Sequence, residues 1–457
     1  MTPLQRFSRE VADALGQDNV IDDDARMQEY ARDMADYQGS PRLVVRPGSE
    51  EEVSLVVRAA ARHGVPVVPR GAGSSLTGAS VSDSVVLDTR RLDRIIEVDT
   101  VNWHAKVQAG VVLDTLNREL KGRGFFFPPD PASSFVCTVG GAVAEGSGGF
   151  RCVKYGTMKE WVLALRVVLP NGEVAQLGEP LAKNRAGYDL VHLFVGSEGT
   201  LGVVTEACLR VVPLQSTPAR RMAVQFDDWG SATRAVMGLK SARVVPGLLE
   251  FMDRETLEAV NRVMKTGLPA AEATLLVDLD DGDAGTAEEV FRSSGMVWSR
   301  VAEDEEEAEL MYQARAWAYP AVKGLASGVH VEDVVVPIDR LGEYMKKVKE
   351  AAAGHGLTIA VNGHAGDGNV HPLILYDRAD EGSRDRALRA SGDICRSAIG
   401  VGGSVSGEHG IGLQKTQLLG EQLRAHGGGE ALRLMKEIKR LFDPAGIMNP
   451  GKYVEAA

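Results

Sequence analysis

The chain has 457 residues, of which 44% are hydrophobic and 25% charged, and a formal net charge of −12. That length exceeds what one hydrophobic core fills, so two or three domains are expected in an ordinary soluble globular protein. The acidic runs Asp278 to Asp283 and Glu303 to Glu309 repel phosphate backbones, which excludes nucleic acid as a partner; they read as solvated faces, or as docking sites for a basic redox partner.

The four cysteines, Cys137, Cys152, Cys208 and Cys395, show no C-x-x-C spacing, so no cysteine-ligated cluster is built within this chain, and a reducing cytosol is the expected setting. Met1 to Asp24 is polar and acidic, with no secretory signal, and no uninterrupted apolar stretch reaches membrane-spanning length. The expectation is a cytoplasmic protein that meets the inner face of a membrane only through a partner.

Residues 1–40 read as helical and polar. The strand Leu43 to Arg46 follows, then a helix from Glu50 to His63 with apolar positions Val53, Val56, Val57 and Ala60, and the strand Val65 to Pro69. The next stretch, Arg70-Gly71-Ala72-Gly73-Ser74-Ser75-Leu76-Thr77-Gly78, lets backbone N–H groups crowd around an anion and form a phosphate nest. Its third glycine stands at 78 rather than 76, so it is neither the Rossmann fingerprint nor a Walker A loop. Similar stretches recur at Pro128 to Pro131, Thr138 to Ala142, Gly146 to Gly149, Lys154 to Thr157 and Gly196 to Gly202. Singly, each is read equally well as tight packing or a turn; together they imply a large flat ligand, of dinucleotide size, threaded against backbone. Strand-like runs Trp161 to Leu169 and Val203 to Val212 lie among them.

A boundary is expected at Pro213 to Arg220. Beyond it come the strand Arg221 to Phe226, helix Asp228 to Lys240, strand Thr274 to Asp278, helix Glu288 to Ser293, strand Met296 to Val301, and a helix from Asp304 to a break at Pro320. The strand His330 to Pro337 and a helix to Ala353 lead to two strands flanking Gly366-Asp367-Gly368-Asn369. The pattern is that of an α+β sheet domain with helices on one side. Helical segments at Ser383 to Ile399 and Glu430 to Phe442 complete the chain.

If Gly366 to Asn369 form the hairpin loop, His364 stands directly opposite His371, with backbones roughly 5 Å apart, close enough for two imidazoles to bind one ion. Glu408, in Ser406-Gly407-Glu408-His409-Gly410, supplies a third ligand. Two histidines and one carboxylate suit zinc, iron(II) or manganese and leave positions open for substrate. Neighbouring side chains diverge, so His409 is the candidate general base. Each histidine taken alone also reads as a satisfied strand residue, and the glycine-rich tetrapeptide as a plain turn.

Taken jointly and in this order, the Pro69 to Gly78 and Gly196 to Thr205 segments, the His364 to His371 and Ser406 to Gly412 motifs, and the terminal Asn449-Pro450-Gly451-Lys452 resemble flavin-dependent 2-hydroxy-acid dehydrogenases. These are the family of the glycolate oxidase flavoprotein subunit and D-lactate dehydrogenases, within the wider vanillyl-alcohol oxidase and p-cresol methylhydroxylase superfamily. The resemblance implies an α+β fold: a two-subdomain FAD-binding domain of the p-cresol methylhydroxylase type at 1–215, a cap domain with an antiparallel sheet carrying metal ligands at 216–405, and a returning segment at 406–457.

It further implies FAD contacts from Pro69, Arg70, Gly71, Ala72, Gly73, Ser74, Ser75, Thr77 and Gly78, from Pro131, Thr138, Gly140, Gly141, Ala144 and Gly148, and from Tyr155, Gly156, Glu198, Gly202, Val203 and Asn449. Relatives with covalent flavin often carry a histidine after the first-loop glycines; Ser74 stands there, so FAD is expected to be dissociable. The implied chemistry is oxidation of a D-2-hydroxy acid to the 2-oxo acid. A divalent ion on His364, His371 and Glu408 binds the substrate, His409 takes the hydroxyl proton, and hydride passes to flavin N5. Arg315 is expected to clamp the substrate carboxylate, or else to be an exposed helix arginine paired with the nearby acidic run. Asn369 either hydrogen-bonds substrate or completes the turn.

D-2-hydroxyglutarate dehydrogenases place a lysine before the motif that Glu332-Asp333 resembles, where this chain has Val331. That points to a lactate- or glycolate-sized substrate. Electrons are expected to leave for a cytochrome, quinone, electron-transfer flavoprotein or iron–sulfur subunit, in a homodimer or hetero-oligomer. A direct oxidase using O₂ and a non-catalytic flavin-binding subunit are the alternatives.

Overall fold

The computed structural model describes residues 1–214 and 220–454; of the expected boundary at Pro213 to Arg220, Ser216, Thr217 and Pro218 lie outside the described residues. The chain forms two compact units, one of Met1–Gly148, Thr157–Leu214 and Glu408–Ala457, the other of Gly149–Gly156 and Gln215–Gly407.

The first unit begins its core with β1 (Leu43–Val45), α1 (Glu50–His63), β2 (Val67–Arg70) and β3 (Val85–Asp88). Helix α1 starts where the Ser49 hydroxyl accepts the Glu52 N–H, carries three glutamates in its first turn and Arg62 and His63 in its last, and stops at Gly64 with φ 62°. Each of these features matches the helix dipole or satisfies an orphan backbone group. Val53, Val56 and Val57 face Val45, Val67, Val85 and Leu87 in one buried cluster. Strands β1, β3 and β2 pair in parallel, in that order, with Val20–Ile21 added antiparallel at the β1 edge.

A second, antiparallel sheet of the same unit runs β4 (Ile95–Asp99), β5 (His104–Gln108), β8 (Val203–Arg210), β6 (Val162–Val168) and β7 (Val174–Gly178). Helix α2 (Val139–Glu145) packs against this sheet. A Cβ on its Gly140 would lie 2.6 Å from the Ala109 Cβ. Gly140→Ala is therefore expected to lower stability by about 1–3 kcal/mol through overpacking, checked by urea denaturation.

The chain's end is tied into this unit. Met448 bridges Val67, and the Lys439 ammonium donates to the Thr200 and Met448 carbonyls at 2.8 Å each.

The second unit is one antiparallel sheet, in the order β12 (Trp298–Val301), β9 (Arg220–Phe226), β11 (Ala273–Leu279), β10 (Leu248–Asp253), β14 (Ile359–His364), β15 (Asn369–Tyr376) and β13 (Gly328–Val331), with Val334–Val335 also on β15. The expected strands at 221–226, 274–278 and 296–301 are present. Strand β10 and the following α3 (Arg254–Met264) were not foreseen. Every residue of β10 is buried, so it lacks the alternation that marks a half-exposed strand.

Two boundaries are corrected. The helix expected to break at Pro320 stops earlier: α4 (Glu305–Ala316) ends before Trp317, and Pro320 is the third residue of α5 (Ala318–Lys323), where a first-turn N–H has no intrahelical acceptor to lose. The strand expected over 330–337 is interrupted at Glu332 and Asp333, both fully buried. Helix α6 (Glu381–Gly400) follows, and no helix among the described residues is long and apolar enough to cross a membrane.

Candidate active site

Strands β14 and β15 are joined by residues 365–368, one position earlier than the expected loop. His364 therefore pairs with Asn369, and His371 with Asn362, so the two histidines are diagonal rather than directly opposed. They still share a face, because residues two apart on a strand point the same way. Their ring centroids are 5.1 Å apart and a ligating nitrogen of each lies within 4.8 Å of the other's.

Buried oxygen acceptors orient both rings. His364 Nδ1 lies 2.6 Å from Glu250 Oε1 on β10; donating its proton there puts the ring's lone pair on Nε2. His371 Nε2 lies 3.0 Å from Asn369 Oδ1 and 3.5 Å from Asp333 Oδ1. Such outer partners fix tautomer and direction in metal-binding histidines, so the pair fits a divalent cation.

Asn369 is not a turn residue but the first of β15, and its amide donates to Asp333 Oδ1 at 2.7 Å and the Val334 carbonyl at 2.8 Å. Both donors and its oxygen are thus engaged inside the protein, the oxygen against His371. Asp333 also accepts the Gly407 N–H and the Ser406 hydroxyl, each at 2.8 Å. The next residue along the backbone is Glu408, the expected third ligand.

Arg315 is no exposed helix arginine. It is 5% exposed, pairs with Glu250 Oε2 at 2.9 Å rather than with the acidic run, and stacks its guanidinium over the Phe150 ring at 5.1 Å. Its buried Nε has no hydrogen-bond partner among the described residues. That unmet donor is what a small carboxylate would satisfy.

In the first unit, the loop after β2 presents bare backbone. Gly73 and Gly78 have φ 73° and 79°, and among the described residues the N–H groups from Gly71 through Ala72, Ser74 and Ser75 to Leu76 donate to no protein acceptor. A run of unclaimed N–H groups fits the phosphates of a flavin dinucleotide. Thr138, at the start of α2, caps the Gly141 N–H at 3.3 Å.

Three expected flavin contacts use their side chains elsewhere. Arg70 donates to the Arg32 and Ser80 carbonyls at 2.7 and 3.3 Å; Glu198 accepts the Ile411 and Gly412 N–H groups at 2.6 and 2.7 Å; Asn449 donates to the Ala79 and Glu198 carbonyls at 3.0 and 2.6 Å. All three are buried and need these partners. Tyr155 and Gly156 belong to the second unit.

His409 lies in the segment that Glu198 holds. Thr77 Oγ1 donates to its carbonyl at 3.4 Å, and its Nε2 lies 3.8 Å from Glu408 Oε1. Burial raises the Glu198 carboxyl to about 7 against the pull of the Ile411 and Gly412 N–H groups, and burial with the nearby Glu198 charge pushes Glu145 up as well. Glu145 was not anticipated; neither was Glu250, whose one signal in the sequence is a carboxylate inside the apolar run Leu248-Leu249-Glu250-Phe251-Met252.

Residues 41–178 match the family described as FAD binding domain, and residues 216–453 match FAD linked oxidases, C-terminal domain. The chain is 37% identical to glycolate oxidase subunit GlcD of Bacillus subtilis (strain 168), over 96% of this chain and 94% of the relative. This chain belongs to the FAD-linked oxidase family. Another member, D-lactate dehydrogenase of Archaeoglobus fulgidus, is 35% identical over 90% of this chain and 91% of its own. The fold is that of p-cresol methylhydroxylase, with a TM-score of 0.83 at 18% identity over 98% of this chain and 96% of that one. The 4-ethylphenol oxidase of Gulosibacter chungangensis gives 0.80 at 19%, over 98% and 97%. The expected α+β architecture and FAD-linked oxidoreductase class therefore hold for this oxidase-family chain.

Proposed function

We propose that this FAD-linked oxidase oxidises a short D-2-hydroxy acid, lactate- or glycolate-like, to the 2-oxo acid and passes the electrons to an acceptor other than NAD. The observation that carries the reading is the buried string Arg315–Glu250–His364 beside His371, which joins a carboxylate-binding cation to paired imidazoles. The relatives named as a glycolate oxidase subunit and a D-lactate dehydrogenase support it.

His364, His371 and Glu408 would hold the divalent cation, and the loop from Pro69 to Gly78 with Thr138, Gly140 and Gly141 would hold FAD. When bound, FAD supplies the acceptor for the two electrons leaving with the substrate's hydride, and the cation supplies a Lewis acid for its hydroxyl and carboxylate oxygens. Arg315 orients the substrate carboxylate through a planar guanidinium. His409 takes the hydroxyl proton, at its ring nitrogen, as the carbon loses hydride. Glu250 and Asn369, the latter held by Asp333, keep the imidazoles in their working tautomers. Val331 brings no cation for a second substrate carboxylate. The acceptor would be a cytochrome, quinone, electron-transfer flavoprotein or iron–sulfur subunit, met in the cytoplasm or at the membrane's inner face.

Ser74, in place of a linking histidine, makes FAD dissociable. Acid precipitation should leave the flavin in the supernatant, and yellow colour in the washed pellet would contradict this.

The function is tested by anaerobic mixing of purified protein with D- and L-lactate and glycolate, metal being assayed on the same sample. Bleaching of the flavin by a D-2-hydroxy acid or glycolate, and loss of both bleaching and metal in His371→Ala, are expected. Unchanged flavin with every acid removes the proposal, and stoichiometric peroxide in air would move it to a direct oxidase.

A further inference from the structure

We propose that the turn end of the β4–β5 hairpin, in the first unit, is a second divalent-cation site made by Glu97, Asp99 and His104. Asp99 pairs with His104 in the ladder, and Glu97 stands two residues before Asp99, so all three side chains leave the same face of the hairpin. One ligand atom from each lies within 4.8 Å of the others.

The imidazole distinguishes this group from an ordinary acidic surface. His104 is 6% exposed, and its Nδ1 is buried with no hydrogen-bond partner among the described residues. A buried ring nitrogen is normally satisfied, and one nitrogen of the His104 ring has an oxygen of each of two carboxylates within 4.8 Å. A cation between them satisfies the ring and the carboxylates at once.

The neighbours leave room for it. Asp99 is held in place by the Val101 and Asn102 N–H groups at 2.8 Å each and the Asn102 amide at 2.7 Å, which still leaves lone-pair capacity on its two oxygens. Lys106, paired with Glu97 in the ladder, is drawn to Glu206 at 3.2 Å. Arg210, opposite His104 on β8, forms no ion pair with either carboxylate among the described residues.

One imidazole and two carboxylates select zinc or manganese over magnesium or calcium. Zinc would draw its ligands to about 2.0–2.2 Å from the ion, tightening the triangle through the exposed Glu97 side chain. The consequence is a clip that ties β4, the edge strand of its sheet, to β5.

The test uses FAD-loaded protein stripped by chelator and titrated with zinc against a chromophoric competitor. Wild type is expected to bind one equivalent more than Glu97→Gln or His104→Gln, or to bind that equivalent at least about 10- to 100-fold more tightly, the factor that losing even an outer partner of a metal site costs. The difference should persist when the same changes are made in His371→Ala, which removes the other candidate site. Glu97→Gln lies on the surface and covers the case in which His104→Gln does not fold; it should also leave flavin reduction by substrate unchanged. Identical titrations of wild type and Glu97→Gln, or of His371→Ala with and without Glu97→Gln, overturn the site.

Discussion

Replacing His409 with alanine is expected to slow substrate reduction of the bound flavin about 10²- to 10⁴-fold, the usual contribution of a positioned general base. FAD and metal should stay bound, because the segment's backbone is held without the imidazole. The Glu198 carboxylate takes the N–H groups of Ile411 and Gly412, and Thr77 donates to the His409 carbonyl. The truncation therefore removes the ring from an otherwise tethered loop. Single-turnover bleaching under anaerobic conditions reads the chemical step apart from acceptor turnover. A wild-type bleaching rate in His409→Ala would assign the proton transfer to another group.

The second large effect falls on a residue that touches neither flavin nor the proposed proton path. Glu250→Ala should lower stability by about 3–5 kcal/mol, since removing one member of a buried ion pair strands the other. Here the stranded group is Arg315, whose side chain is 6% exposed and ion-paired to Glu250 at 2.9 Å. The same change frees His364 Nδ1 from its carboxylate, so metal affinity should fall about 10- to 100-fold as well. Urea denaturation of metal-free protein isolates the first effect, and metal titration of the folded variant the second. Should metal-free Glu250→Ala unfold at the wild-type midpoint, the buried pair contributes nothing to holding the sheet. Unchanged metal affinity would separate Glu250 from the histidine's role.

The two predictions rest on residues of unequal visibility in the sequence. His409 stood out because Glu408-His409 is walled by glycines, which have no bulk to bury and so mark a place where backbone and chemistry come close. Glu250 gave no comparable signal. It sits in a strand buried on both faces, where neither alternation nor turn residues frame it, and its partners are 65 and 114 positions away at Arg315 and His364. Asn369 shows the reverse error. Gly-Asp-Gly-Asn reads as four turn residues, yet the ladder begins at Asn369, because its amide finds two acceptors at Asp333 and Val334 once the chain pairs there. One residue of loop placement moved His364 from facing His371 to the diagonal, and period-two geometry kept both on the same face.

The sequence by itself determined the helix α1, the strand-loop pattern of the first unit, the paired histidines and the family, because these depend on contacts within a few residues or on motifs that survive in linear order. Only the tertiary structure decided which polar side chains are consumed by the fold. The side chains of Arg70, Glu198 and Asn449, expected at the cofactor, are bonded to carbonyls and N–H groups of the protein, while Arg315 was open to being a surface residue and is buried on a carboxylate. The reason is that a buried polar atom must find a partner wherever the packed chain brings one, and the strength of that demand is set by burial, a property no single stretch of sequence carries.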